Sequence, residues 1–256
     1  MTAPLLKVRN LSFAYAAGSQ AKATTVIENI SLTLEAGEIL CVLGPSGCGK
    51  STLLSLIAGL LQPDAGSIVF ATTGDKHSRI GYIFQQDTLL PWRTVKSNLL
   101  LAADLGKGSS DNTNMKEYLK TFHLDESILN SYPCELSGGM RQRVGIIQAL
   151  MFNPEILLLD EPFSALDFFT KLQLESEFHN LARQHKKGTI MVTHDIDEAI
   201  AMGDRVIIMD AQGRITATME IDFEDESVTP QTARGAASFS SYYNSIWSHL
   251  RSAIAT

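Results

Sequence analysis

Cysteine is nearly absent from this sequence. The three that occur among 256 residues, Cys41, Cys48 and Cys134, are too few and too irregularly spaced for a disulfide framework or a paired metal-ligand motif. A reducing compartment is the simple reading. Cys41 reads as core, and Cys48, inside a glycine-rich segment, as a thiol open to alkylation. Positive charge is also short. Lys and Arg number 21 against 28 Asp and Glu, a formal net charge of −7, which argues against a nucleic-acid binder and against adhesion to anionic lipid. No apolar run approaches the roughly 20 residues that span a bilayer. The stretch Met1 to Lys7 lacks the basic and apolar regions of a signal peptide. Any service to a membrane is therefore expected to run through another chain. Internal repeats and low-complexity segments are missing too.

What is present is a core-sized share of hydrophobic residues, 45%, ordinary for a globular chain and enough for one large domain. At its centre stands Gly44-Pro45-Ser46-Gly47-Cys48-Gly49-Lys50-Ser51. An apolar run over 38–43 precedes it, and Thr52 to Leu61 follows, with Leu53, Leu54, Ile57, Leu60 and Leu61 recurring at helical spacing. Strand, glycine-rich turn, Lys-Ser and helix together make a phosphate-binding loop. The glycines let successive N–H groups turn inward as an anion nest, and the new helix adds its positive end. Lys50 can reach the β- and γ-phosphates, and the Ser51 hydroxyl can ligate Mg²⁺. The loop alone specifies nucleotide phosphate without separating kinase, GTPase and transport ATPase.

The remaining pattern is α/β. Residues 5–15 and 26–34 alternate as strands of an N-terminal antiparallel β layer, and 67–71 and 79–84 are further strands. Loops are expected over 16–25 and 72–78. Strand signals then stop, and a helical insertion is expected over about 86–150. It holds helices at 94–105 and 115–122, a flexible stretch at 106–110 and a short helical turn at 127–132. A further helix is capped by Ser137, has Met140, Val144, Ile147 and Met151 on one face, and is stopped by Asn153-Pro154. Strands follow at 155–161 and 189–194, the second ending in His194, with helices at 167–185 and 197–202. A hairpin pairs 205–210 with 214–218, and 222–231 is an acidic loop. A tail over about 235–256 carries the stripe Phe239, Tyr242, Tyr243, Ile246, Trp247, Leu250 and Ile254, read first as packing on its own domain and second as a partner surface.

In such folds the strand ends on one edge of a parallel sheet bring their loops together. Lys50, Ser51, Gln85, Asp160, Glu161 and His194 all fall at or just after strand ends and are expected to cluster. Asp160, ending an apolar strand, suits water-mediated holding of Mg²⁺. Glu161 can polarise a water for attack on a γ-phosphate. Tyr15 reads either as a strand-end aromatic or as a flat face for a purine.

The ordered set Gly44 to Ser51, Gln85, Leu136-Ser137-Gly138-Gly139-Met140, Ile156-Leu157-Leu158-Leu159-Asp160-Glu161, Ser164-Ala165-Leu166-Asp167 and His194 resembles the ATPase subunit of an ATP-binding cassette (ABC) transporter, over roughly residues 5–220. The resemblance implies the ABC type of P-loop NTPase fold, with ATP and Mg²⁺ as ligands. It implies that Tyr15 stacks on adenine and that Gly44, Pro45, Ser46, Gly47, Cys48, Gly49, Lys50, Ser51 and Thr52 hold the phosphates. Ser51, Gln85 and Asp160 would serve the metal, Gln85 also linking it to the helical insertion. Glu161 would be the catalytic base and His194 the γ-phosphate contact. Ser137, Gly138 and Gly139 would act in trans on the nucleotide of a second copy, with Asp167 crossing the same interface. The implied partners are that second copy, transmembrane permease subunits and, indirectly, a periplasmic or extracellular solute-binding protein, with no nucleic acid. The implied location is the cytoplasmic face of the inner membrane. A soluble ABC-type ATPase is the alternative, opposed by the lack of a coiled-coil insertion. Two positions depart from the family: Met140 stands where Gln is frequent, and Gln148 stands where Arg often precedes Ala-Leu. Leu89-Leu90-Pro91-Trp92-Arg93-Thr94-Val95 resembles importers of the nitrate, sulfonate and taurine group. Trp92 reads equally as a core anchor or a permease contact, and Ser97 makes a weaker capping box with Thr94 than Glu would.

Lys50→Ala is expected to weaken ATP binding by about tenfold or more, the scale of a lost charged hydrogen bond. A fluorescent-nucleotide titration that shows unchanged affinity would contradict the loop assignment.

Overall fold

The computed structural model describes residues 3–15, 24–71, 79–85, 88–106, 112–164, 166–223 and 228–255. Most of the loop expected at 16–25, the connection 72–78, Gln86, most of the stretch 106–110, Ala165 and the centre of the acidic loop lie outside these residues. Among the described residues the strands form two sheets. The first orders β2 (Thr24–Leu34), β1 (Leu6–Tyr15) and β4 (Ala65–Phe70), all antiparallel. Leu6 and Val8 point inward, then Leu11 and Phe13. The change of phase falls at Asn10, whose φ of 48° makes a bulge, matched across the pair by Asn29 at 53°. Asparagine tolerates this left-handed region better than most residues. Ser31 Oγ and Ser12 Oγ accept from the Asn10 and Asn29 N–H groups at 2.8 and 3.0 Å.

The second sheet runs β5 (Ile80–Ile83), β6 (Ile156–Asp160), β7 (Gly188–Val192), β3 (Ile39–Leu43), β8 (Arg205–Met209) and β9 (Ile215–Glu220). The first five are parallel, and only β9 turns back against β8. Every residue of β3, β6 and β7 is buried, as parallel strands covered on both faces must be. Alternation divides them between two cores. Leu40, Val42, Leu158, Ile190 and Val192 face the antiparallel sheet and α1 (Lys50–Ile57). Cys41, Leu43, Leu157, Leu159 and Met191 face the other core, with α4 (Gly138–Met151), α5 (Phe168–Gln184), α6 (Ile196–Met202) and α8 (Phe239–Ala255). Between β5 and β6 the described chain holds helices and no strand, α2 (Val95–Leu105) and α3 (Asn112–Thr121) packing with α4.

Three expectations shift. The helix after the glycine loop starts at Lys50 and stops at Ile57, earlier than the apolar spacing implies. Gly59 takes φ 72°, and Leu60 N–H reaches back to Ser55 O at 2.9 Å while Gly59 N–H donates to Leu56 O at 3.0 Å. That is a Schellman stop, and it leaves Leu60 61% exposed. Strand β7 ends at Val192, so His194 lies just beyond it. On the last helix Phe239, Ile246 and Leu250 join the core, whereas Trp247 and Ile254 are exposed. Packing on its own domain therefore explains most of that stripe.

A charged cluster lies between α5, α6 and α7 (Pro230–Ala233). Within it the Glu198 carboxyl is driven from an ordinary 4.5 up to about 7, first by burial, with Lys171 and the Thr193 hydroxyl pulling down and Glu175 and Asp195 pushing up. The folded state thus holds a proton there that the unfolded chain releases. The stabilisation is full below the unfolded value of 4.5 and is lost as pH rises through about 7. Glu198→Gln should flatten the fall of Tm between about pH 5 and about pH 7.5; an unchanged slope would contradict this assignment.

Candidate active site

Because β3, β5, β6 and β7 run parallel, their carboxyl ends share one edge. β3 delivers the glycine loop. Gly49 has φ 100°, and a Cβ there would stand 2.7 Å from Val26 O, so only glycine fits against β2. Gly49 is also the N-cap of α1 and brings no side-chain cap, which leaves the first-turn N–H groups to an anion. Lys50 is buried, and its Nζ donates to Gly44 O at 2.8 Å and Pro45 O at 3.0 Å, fixing the ammonium over the loop. Cys48 is 2% exposed, and burial pushes its thiol up. It is therefore not the alkylation target that its place in the loop suggested.

β6 delivers Asp160. Burial raises its carboxyl and the adjacent Glu161 adds to this, while a bond from Ser51, the charge of Lys50 and a bond from Tyr82 oppose it. Tyr82, on β5, is pushed up to about 12, first by burial and then by Asp160. Its ring stacks on Phe84 at 4.0 Å. The hard oxygens of Ser51 and Asp160 suit Mg²⁺, which binds through one or two protein oxygens and takes the rest from phosphate and water. Among the described residues no group of three or more His, Cys, Asp or Glu could hold a metal ion.

Glu161 lies one residue further, with φ 48°. This is a rare conformation for a non-glycine residue and costs on the order of 1–3 kcal/mol. Its N–H donates to Val192 O at 2.9 Å, which fixes the turn against β7. Glu161 Oε2 accepts from Gln85 Nε2 at 3.2 Å and stands 3.2 Å from His194 Nδ1. Three loops thus meet on one carboxylate oxygen. Tyr15 stands 3.4 Å, hydroxyl to Oγ1, from Thr52 at the start of α1, its ring edge-on to Phe13 at 4.9 Å and 48% exposed. A free aromatic face therefore lies beside the phosphate loop.

The remaining expected residues sit apart. Ser137 caps α4, accepting from Met140 N–H at 3.2 Å, and with Gly138 it is exposed. Gly139 faces Leu166, which a Cβ would approach to 3.2 Å. Asp167 is exposed and caps α5 through Thr170 N–H at 3.1 Å; the Thr170 hydroxyl first, and this N–H second, hold its carboxyl below the usual range. Among the described residues no hydrogen bond or ion pair joins Ser137, Gly138, Gly139 or Asp167 to the phosphate loop.

Four residues of this region have partners that sequence reading does not report. Tyr82 contacts Asp160 because β5 and β6 pair with Tyr82 opposite Leu158, a register that no local pattern reports. Gln142 Nε2 donates to Pro162 O and so ties α4 to the turn after Glu161. Gln148, the second departure from the family, joins α4 to α2 through Asn98 O at 3.3 Å. Asn98 itself is wholly buried and binds Leu90, Arg93 and Thr94 backbone at 2.8–3.2 Å. It is the anchor of that loop, and Trp92, 71% exposed, is not. Beside Gln85 a cleft of about 580 Å³ opens between β5, α2 and α4, lined by Phe84, Thr88, Leu101, Leu105, Gly138 and Gln148 among others.

An uncapped helix start behind a glycine turn, a buried lysine over it, a Ser-Asp pair and a glutamate at the same sheet edge define a phosphate-loop nucleoside triphosphatase. Residues 27–164 match the ABC transporter family. The chain is 41% identical over 234 residues, 90% of each chain, to an uncharacterized ABC transporter ATP-binding protein, YtlC, of Bacillus subtilis. It is 45% identical over 207 residues, 78% of this chain and 80% of the relative, to the aliphatic sulfonates import ATP-binding protein SsuB of Bacillus cereus. Its fold matches the solved dimer of the ATP-binding cassette MJ0796, in a post-hydrolysis state bound to ADP and Pi, with TM-score 0.75, 31% identity and coverage of 85% of this chain and 99% of that one. The chain belongs to the ABC transporter family, as an ATP hydrolase.

Proposed function

We propose that this chain is the energising subunit of an importer: two copies close around two ATP molecules and drive a separate membrane permease that admits a small solute of the sulfonate, nitrate or taurine type. The observation that carries the catalytic part is the meeting of Gln85 and His194 on Glu161 Oε2, at the edge that also holds Lys50, Ser51 and Asp160. In this reading the loop from Gly44 to Thr52 and the first turn of α1 bind the phosphates. Tyr15 offers its exposed face to adenine. Ser51 and Asp160, with Gln85 nearby, would hold Mg²⁺, which neutralises charge on the β- and γ-phosphates. Glu161 accepts a proton from the attacking water, and its fixed turn holds the carboxylate in place before substrate arrives. His194, its side chain about two-thirds exposed, reaches the γ-phosphate from the β7 side.

The second half of the site comes from another copy. The start of α4, exposed at Ser137 and Gly138 and partly exposed at Gly139, is a helix N-terminus with no acidic side chain in its first turn. A two-fold pair of copies would bring each such terminus to the other's phosphates, with Asp167 beside it. That the similar cassette MJ0796 is dimeric with ADP and Pi bound supports the pairing of two copies. The chain would form one ABC domain, with a helical subdomain over about 86–150 and a helical tail over about 235–256. The cleft beside Gln85 and the exposed Trp92 are the permease-facing surface, where a change at Gln85 is felt. No described helix is long and apolar enough to cross a membrane. The chain would sit at the cytoplasmic face of the inner membrane through its permease, with a solute-binding protein beyond. Names of relatives at 45% identity support the sulfonate end of the solute range.

Glu161→Gln should keep ATP binding and lower turnover by about 100-fold or more, the scale of general-base loss. Extracted from its own cells in mild detergent with ATP, the same variant should carry a multi-span membrane protein with it. Normal turnover would overturn the role of Glu161, and absence of any membrane partner would favour a soluble ABC ATPase.

A further inference from the structure

His194 is held between buried Thr193 and half-buried Asp195. Thr193 is 2% exposed, and its hydroxyl donates to the Glu198 carboxylate. Asp195 caps α6, its Oδ1 accepting from the Asp197 and Glu198 N–H groups at 2.9 and 3.3 Å, while its own N–H donates to Thr193 Oγ1 at 3.1 Å. The second oxygen, Asp195 Oδ2, accepts from Lys171 Nζ at 2.7 Å. Lys171 belongs to the first turn of α5, and its N–H donates to Asp167 O at 2.9 Å. Its ammonium is also 3.8 Å from Glu198 Oε1 and 3.9 Å from Glu175 Oε1, two oxygens with no hydrogen-bond partner.

Glu175 has no exposed surface, and its other oxygen accepts from Arg234 Nη2 at 2.9 Å. Arg234 closes α7, and its Nη1 donates to Pro230 O at 2.9 Å. Among the described residues, the ion pairs here join three carboxylates to two cations. A carboxylate wholly out of water demands a cation. Arg234 serves Glu175, and that leaves Lys171 for Asp195. Without Arg234, Lys171 is the cation left within reach of Glu175, Asp195 and Glu198, and the most deeply buried of the three draws it away from Asp195.

We propose that Arg234 and Lys171 are positioning residues for His194, so that a residue beyond the nucleotide-binding core sets the geometry of hydrolysis. This rests on the reading that His194 takes part in the reaction. Lys171 fixes the backbone on the far side of His194 through Asp195, and Arg234 keeps Lys171 there. Since Lys171 follows Asp167 by one helical turn, the same contact joins the His194 loop to the turn that leads into α5.

Arg234→Met keeps the aliphatic stem and removes the charge. It should lower kcat about tenfold, the scale of a catalytic group displaced by a fraction of an ångström, with ATP affinity unchanged because the phosphate loop is untouched. Arg234→Met with Glu175→Gln removes the stranded carboxylate and should recover most of that loss. In a His194→Ala chain, Arg234→Met should change kcat no further, as expected of two residues acting through one group. Should Arg234→Met alone fail to fold, adding Lys171→Met to the Arg234→Met, Glu175→Gln chain makes the same comparison and should again lower kcat about tenfold. An impaired His194→Ala chain beside an unimpaired Arg234→Met chain would overturn this inference alone. So would an equal loss from Arg234→Met with and without His194. Normal turnover by His194→Ala would overturn the role of His194 and this inference with it.

Discussion

A parallel sheet buried on both faces governs this molecule. Strands β3, β6 and β7 have no exposed residue, so their backbone hydrogen bonds and packing are met internally, and the one charged side chain they carry, Asp160, stands where a strand ends. Every parallel strand ends on the same edge. The phosphate loop, Gln85, Asp160 with Glu161, and His194 are four such endings, and their convergence follows from topology before any attraction between them. The burial that makes the edge also tunes it: desolvation is the leading cause of the raised carboxyl at Asp160 and of the raised hydroxyl at Tyr82. A carboxylate kept uncomfortable in this way gains most from a neighbouring cation, which is what a metal site requires.

Much of this was legible in the sequence, for identifiable reasons. Gly44 to Ser51 announces itself because several constraints coincide in eight consecutive residues: an αL glycine, a close backbone approach and an uncapped helix start. Asp160 and Glu161 are visible because two acids after an unbroken apolar strand have few structural uses. The site residues that stayed hidden are those whose partners lie on other elements. Tyr82 depends on the β5–β6 register, and Gln142 on a carbonyl 20 residues away. Asn98 looks like an ordinary helix polar residue until its four backbone bonds to the preceding loop are seen. Local stop signals were misjudged as well. Leu60 continued a helical spacing, but Gly59 ended the helix first. Asn10 shifted the phase of β1, a change that strict alternation cannot express.

The site so assembled is one-sided. The loop, Ser51, Asp160 and Glu161 occupy one edge, while among the described residues the exposed helix start at Ser137 has no bond to that edge. Two helix starts able to bind anions, at Lys50 and at Gly138, are reconciled in the proposed reading when two copies meet with ATP between them. In that proposed reading closure would depend on nucleotide, and the cleft beside Gln85 would carry that dependence to a membrane partner.

The most direct test is the mass of the Glu161→Gln chain in sedimentation equilibrium with Mg²⁺ and saturating ATP. Dimerisation around ATP predicts twice the 28.0 kDa of one chain, falling back to a single mass when Ser137→Arg is added although ATP still binds. A single mass with ATP bound, or a dimer indifferent to Ser137→Arg, would contradict it.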